Sequence, residues 1–207
     1  MESFPDKAYE SVATYFDDYA LRVTKALASV DRESLERAER LLSEVLVRDG
    51  QVFSCGNGGS ASIANHLVCD HAKAVSKHTN LTPRVRSLTT PIEIVSAYAN
   101  DVGYADVFVE QAKLFARAGD LLITISSSGD SDNVVKAVEW AKANNVATIA
   151  MTGFSGGRLR KIADVSIHVE AANYGIVEDA HQSIMHALAQ FIRVRHVPEE
   201  IIAKQRF

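Results

Sequence analysis

Residues 51–70 read QVFSCGNGGSASIANHLVCD. An apolar, strand-like segment runs into a turn containing Gly56, Asn57, Gly58 and Gly59. A helix follows that begins with the hydroxyls of Ser60 and Ser62. Strand, glycine turn and helix in that order make an anion cradle. Glycines let the backbone approach an anion without Cβ interference, and the free N–H groups and positive dipole of the helix N-terminus supply the attraction. Further along the same helix, His66 and Asp70 stand four residues apart on one face, a spacing suited to a metal or an acid–base pair.

A second strand–turn–helix signature lies 70 residues on. Asp120-Leu-Leu-Ile-Thr-Ile125 reads as a buried strand, Ser126-Ser-Ser-Gly-Asp-Ser131 as a hydroxyl-rich turn, and Asn133 to Asn145 as a helix. Taken alone, a serine cluster after a strand is most simply a turn and a helix cap. Two such turns in one sheet favour an anion site, with Ser126, Ser127, Ser128 and Ser131 as donors. The first turn also fits part of a GxGxxA dinucleotide fingerprint through Gly56, Gly58 and Ala61. No acidic residue ends a neighbouring strand where a ribose would be held, which argues against a nicotinamide cofactor.

Outward from these two units the period continues to alternate. VRSLT (85–89), helices near 91–99 and 105–118, VATIAMTG (146–153), a short helix at 158–162, VSIHVE (165–170) and a final helix at 176–194 complete the pattern. Strands alternating with helices predict an α/β fold, a parallel sheet flanked by helices that binds ligands at the carboxyl ends of its strands. Ahead of it, residues 1–50 read as two helices, about 7–30 and 32–48, with Asp31 capping the second. Tyr9, Val12, Tyr15, Phe16, Tyr19, Ala20 and Val23 make a broad apolar stripe on the first, which points to packing or oligomerisation. The chain is thus expected to comprise an N-terminal helical extension (1–50) within the same domain as an α/β body (51–207).

Composition narrows the function. The 207 residues are 47% hydrophobic and carry a net charge of −4 with interleaved signs, so no basic tract offers a nucleic-acid backbone a surface. No basic segment followed by an apolar run opens the chain, and no stretch approaches the ~20 apolar residues of a membrane span. A cytoplasmic, soluble protein is expected. Cys55 and Cys69 are too few for a disulfide framework, and Cys55 reads as a small buried residue at a strand end.

Ionisable residues on the final helix complete the candidates. Glu178, His181 and His186 could join His66 and Asp70 in holding a divalent ion or act as a metal-free acid–base set. Each alone is as readily a surface or hydrogen-bonded side chain. Asn100 and Asp101 end a helix and are either a polar terminus or a ligand-contacting pair.

These segments resemble the sugar-isomerase (SIS) phosphosugar-binding domain, and within it the phosphoheptose isomerases. The densest matches are CGNGGSAS (55–62), AYANDVGYADVF (97–108), GDLLITISSSGDSDNVVKA (119–137) and TGFSGG (152–157). The resemblance implies a five-stranded parallel sheet in a flavodoxin-like three-layer sandwich, commonly a homotetramer with sites at subunit interfaces. It implies a substrate cradle of Asn57, Gly58, Gly59, Asn100, Asp101, Ser126, Ser127, Ser128 and Ser131, to which Ser60 at the helix start is added. It implies zinc, or another divalent metal, on His66, Asp70, Glu178 and His186, with Glu178 also reaching substrate. Asp70 and His186 are the implied catalytic acid–base pair for aldose–ketose exchange of a phosphorylated sugar, sedoheptulose 7-phosphate in the family.

Departures fall at that site. Asp70 replaces a family glutamate, Glu178 a glutamine and Gly175 an acidic residue, while Ala74 stands where a basic residue is usual. Two further readings remain open: a non-catalytic SIS protein resembling the replication-initiator-associating tetramers, and a phosphosugar-sensing module. Retention of His186 favours the enzyme.

Overall fold

The computed structural model describes residues 4–204, so the extreme ends of both expected segments, 1–3 and 205–207, lie outside it. Five strands, β1 (Gln51–Gly56), β2 (Arg84–Ser87), β3 (Leu121–Ser126), β4 (Ala147–Thr152) and β5 (Val165–His168), form one sheet in the order β2-β1-β3-β4-β5. Every pairing is parallel. The period-2 alternation of each strand feeds two apolar layers. Val52, Leu121, Ile123, Ile125 and Ile149 point to one side. Phe53, Cys55, Leu122 and Ala150 point to the other.

The first layer is built by α1 (Val12–Ala28), α2 (Arg32–Val47), α3 (Gly59–Cys69) and α8 (Tyr174–His196). The second is built by α4 (Ile92–Asp101), α5 (Val107–Phe115), α6 (Asp132–Ala143) and α7 (Leu159–Ile162). A short α9 (Glu199–Ile202), absent from the sequence reading, follows Pro198. The outcome is the expected three-layer α/β sandwich with helices added at the N-terminus.

Local chemistry accounts for the shifted boundaries. α1 begins at Val12 because the Ser11 hydroxyl accepts from Thr14 N, a cap that contributes about 1 kcal/mol. Tyr9 therefore lies ahead of the helix, packed edge-on against Phe4 and Tyr15. Asp31 caps α2 as expected, accepting from Ser34 N at 2.9 Å. α8 starts at Tyr174 because the Asn173 side chain caps Ile176 N. The helix that carries Ser60, His66 and Asp70 divides: α3 ends at Cys69 and a π-helical turn, Asp70–Val75, continues it. The helix read as 105–118 is a 3-10 turn, Tyr104–Asp106, followed by α5.

β1 and β3 are neighbours, with Gly56 opposite Ile125, so both glycine and serine turns leave the sheet side by side. The connection from β1 runs towards one edge, to β2, and that from β3 towards the other, to β4. This is the topological switch point, where an open α/β sheet leaves a crevice.

Candidate active site

Gly58 starts the first cradle with φ +55°, a left-handed conformation that disfavours a side chain. It occupies the N-cap of α3, and no side chain caps the helix, which leaves its first N–H groups to a ligand. In the second cradle the Gly129 amide donates to both the carbonyl and the Oγ of Ser126. Ser131 takes the N-cap position of α6, yet its hydroxyl makes no capping bond. The Ser127 Oγ is buried and has no partner. Hydroxyls serving only as turn and cap would be internally satisfied. These two are not, which favours the anion-site reading.

Asn57, Ser60, Ser126, Ser127, Ser128, Ser131, Tyr174 and Glu178 line one pocket of about 110 Å³ between the cradles. Glu178 reaches it from α8 over Gly59, where a Cβ would lie 2.1 Å from the carboxylate Oε2. Burial, reinforced by Asp179, raises its pKa.

Beyond the pocket lies the His/carboxylate cluster. His66 on α3, Asp70 at the start of the π-helical turn and His186 on α8 bring one ligand atom each to within 4.8 Å of one another. Asp70 Oδ2 is 2.8 Å from His186 Nδ1, and Oδ1 is 3.3 Å from His66 Nε2. Gln182, one turn earlier on α8, places Nε2 3.0 Å from His186 Nε2. With the Gln182 amide nitrogen turned to it, Nε2 of His186 accepts and the proton sits on Nδ1 facing Asp70, a proton that an ion bound at Nδ1 would displace. Two imidazoles and a carboxylate at this separation fit a divalent ion with an open position. Of the four ligand positions that the resemblance implies, three meet here. Glu178 is not part of that cluster and lies in the cradle.

Other candidates are placed elsewhere. Asn100 and Asp101 are exposed at the end of α4, bonded to each other at 2.7 Å, and do not line the pocket. His181 is fully buried, with neither ring nitrogen hydrogen-bonded, and burial lowers its pKa to about 4. It belongs to the core. Cys55 is buried, and desolvation raises its thiol pKa.

Besides Tyr174, which lines the pocket, sequence reasoning missed three residues. Gln182 sets the His186 tautomer, and its i,i+4 spacing to His186 was the available signal. Asn133 pairs its amide with that of Asn57, and Tyr104 donates to Asn57 Oδ1 at 2.9 Å. Both contacts join distant segments and left no sequence signal. Among the described residues, no helix is long and apolar enough to cross a membrane.

Fold and site together define a parallel α/β protein with an anion pocket at its switch point and a His/carboxylate cluster beside it. Comparisons with known proteins carry this further. The SIS-domain profile matches residues 14–153. The chain is 34% identical over 171 residues to the phosphoheptose isomerase of Colwellia psychrerythraea, spanning 80% of this chain and 86% of that one. It is 33% identical over 186 residues to that of Neisseria meningitidis serogroup C, spanning 88% and 93%. The solved phosphoheptose isomerase of Neisseria gonorrhoeae superposes with a TM-score of 0.79 at 32% identity, covering 87% of this chain and 97% of that one. The chain belongs to the SIS-domain family, among the phosphoheptose isomerases, and is an enzyme of the phosphosugar-isomerase class.

Proposed function

We propose that this enzyme interconverts sedoheptulose 7-phosphate and glycero-manno-heptose 7-phosphate through an enediolate. The carrying observation is the Asp70–His186 contact beside a pocket whose Ser127 and Ser131 hydroxyls are uncommitted. The phosphate takes the serine cradle and the N-terminus of α6, bonded by those hydroxyls and by backbone N–H groups. Asn57, Gly58, Gly59 and Ser60 hold the sugar chain, with Glu178 accepting a hydroxyl. Asn100 and Asp101 join the site through a neighbouring subunit.

In the ketose-to-aldose direction the Asp70 carboxylate takes the proton from C1. The C1–H electron pair forms the C1–C2 double bond, and the C2 carbonyl oxygen becomes the oxyanion. His186 delivers a proton to O2 and recovers one from O1 as the C1 carbonyl forms. Asp70, its proton exchanged with solvent during the enediol lifetime, then protonates C2, so atoms and charge balance. His66, Asp70 and His186 are the residues that would hold zinc or another divalent ion. When bound, the ion supplies Lewis-acid stabilisation of the developing oxyanion.

The exposed apolar residues of α1, Val12 (83% exposed) and Phe16 (65%), are proposed to pack in a homotetramer, in keeping with a cytoplasmic enzyme. Light scattering reads this directly, and a monomeric mass would contradict it. The activity is tested by NMR of metal-loaded protein with sedoheptulose 7-phosphate in D2O. Aldose signals with deuterium at C2 are expected. Their absence, with matched metal-free controls, would remove the substrate assignment.

A further inference from the structure

Asn57 occupies the tip of the glycine cradle, and its side-chain amide is already engaged. Asn57 Nδ2 donates to Asn133 Oδ1 and Asn133 Nδ2 donates to Asn57 Oδ1, both at 2.9 Å. Tyr104 adds a third bond, its hydroxyl donating to the same Asn57 Oδ1 at 2.9 Å. A carbonyl oxygen offers two lone pairs, so Asn57 Oδ1 is saturated. A single Nδ2 hydrogen remains for a ligand.

The partners stand on different elements. Asn133 is 2% exposed in the first turn of α6, directly after the serine cradle, and its Oδ1 also accepts from Val134 N. Tyr104 lies on the 3-10 turn after α4 with 57% of its surface exposed, so packing does not fix its ring. That turn is anchored separately. Lys136, one turn beyond Asn133 on α6, binds both carboxylate oxygens of Asp106 at 2.9 and 3.0 Å. Hence α6 holds the tip of one cradle through Asn133 and the Tyr104 turn through Lys136, while its own N-terminus forms the other cradle.

We propose that Asn133 is a positioning residue of this site. It locks the Asn57 amide, with Tyr104 completing the lock, so that glycine and serine cradles keep one fixed separation when a sugar phosphate binds. The proposal rests on the phosphosugar-isomerase reading for its substrate and on the amide pair alone for its geometry. Preorganisation of this kind removes the ordering cost that a mobile turn would add to binding.

The test compares wild type with Asn57→Ala, Asn133→Ala, the double variant and Tyr104→Phe. Each is measured for kcat and KM with sedoheptulose 7-phosphate, for the dissociation constant of inorganic phosphate by calorimetry, and for melting temperature. Asn133→Ala is expected to raise KM and weaken phosphate binding about tenfold or more, with kcat changed less. The double variant should bind no more weakly than Asn57→Ala alone, because Asn133 acts through Asn57. Tyr104→Phe, which removes one exposed hydroxyl and leaves the core intact, should show a smaller loss of the same kind even if Asn133→Ala folds poorly. Additive losses in the double variant, or a lowered melting temperature with unchanged KM and phosphate affinity, would overturn the lock. If wild type binds phosphate without turning over the sugar, the substrate reading fails, and the phosphate series still decides the lock by the same two outcomes.

Discussion

Asp70 Oδ2 lies 2.8 Å from His186 Nδ1, across the seam between the π-helical turn and α8. The π-helical turn begins at Asp70 itself, so the carboxylate stands where the helix widens, and it reaches His186 although it is one methylene shorter than the family's glutamate. Asp70→Asn keeps the shape and removes the proposed base. It should lower kcat by roughly 10²–10⁴, the usual contribution of general base catalysis, with far less change in KM. Asp70→Glu keeps the base and moves it by about 1 Å, for an expected loss on the order of a hundredfold. Steady-state kinetics separates the two. Equal kcat in Asp70→Asn and wild type would eliminate Asp70 as the base.

Metal loading should couple to stability through His66, Asp70 and His186. At a free-ion concentration of 100 times Kd, binding to the native state alone adds about 2.7 kcal/mol. For a chain of this length that is a rise of several degrees in Tm, because each kcal/mol shifts it by roughly 2–4 °C. Scanning calorimetry with zinc and with chelator checks this. His66→Ala should abolish most of the zinc-dependent shift while leaving the chelated Tm near that of wild type, since His66 is exposed.

Much of the fold was legible because the strands are short, all but the arginine-bearing β2 are largely apolar, and turn residues punctuate them in an order that dictates parallel pairing. The cradles were visible for the same reason, since strand, small-residue turn and helix are contiguous in sequence. The Asn57–Asn133–Tyr104 lock was not visible, because three polar residues on ordinary turns and helix starts acquire meaning only when the sheet order sets β1 beside β3. The π-helical turn was hidden differently. Its buried positions step from Leu67 to His71 to Val75, four residues at a time, and a buried histidine at the middle step does not read as core from composition. Glu178 and His186 share a helix, yet the eight-residue gap sends one to the cradle and the other to the cluster, a division that spacing alone leaves open.

Gly59 and Gly129 should respond oppositely to alanine. At Gly59 the atoms nearest the new Cβ belong to the end of the flexible Glu178 side chain, so the carboxylate should swing away with the fold intact. Gly59→Ala is expected to keep wild-type Tm and raise KM, because Glu178 leaves the pocket. At Gly129 the Cβ would lie 2.1 Å from the Gly156 carbonyl oxygen at φ +69°, where the backbone itself must move. Gly129→Ala should cost roughly 1–3 kcal/mol or more in urea unfolding. A destabilised Gly59→Ala of unchanged KM would show that Glu178 is held rigidly and supports the fold.

Acid sensitivity should trace to the core histidine on α8. Burial holds His181 at a pKa of about 4, against an ordinary value of 6.5, with the Thr152 backbone opposing weakly. The native state therefore keeps the ring neutral while the unfolded chain takes up a proton below pH 6.5. The unfolded state binds more protons throughout the interval from 6.5 to 4, so stability falls as pH drops across it and levels off beneath. The full loss is on the order of 3 kcal/mol, from ~1.4 kcal/mol per pKa unit. Burial also lowers the pKa values of His71 and His168, which adds slope of the same sign. His181→Leu removes the proton site, and the Thr152 carbonyl beside it keeps a partner because it also accepts from Val169 N. Urea unfolding between pH 4 and 8 should show the variant losing less stability towards acid than wild type. An unchanged slope would assign the acid sensitivity to His71 and His168 instead.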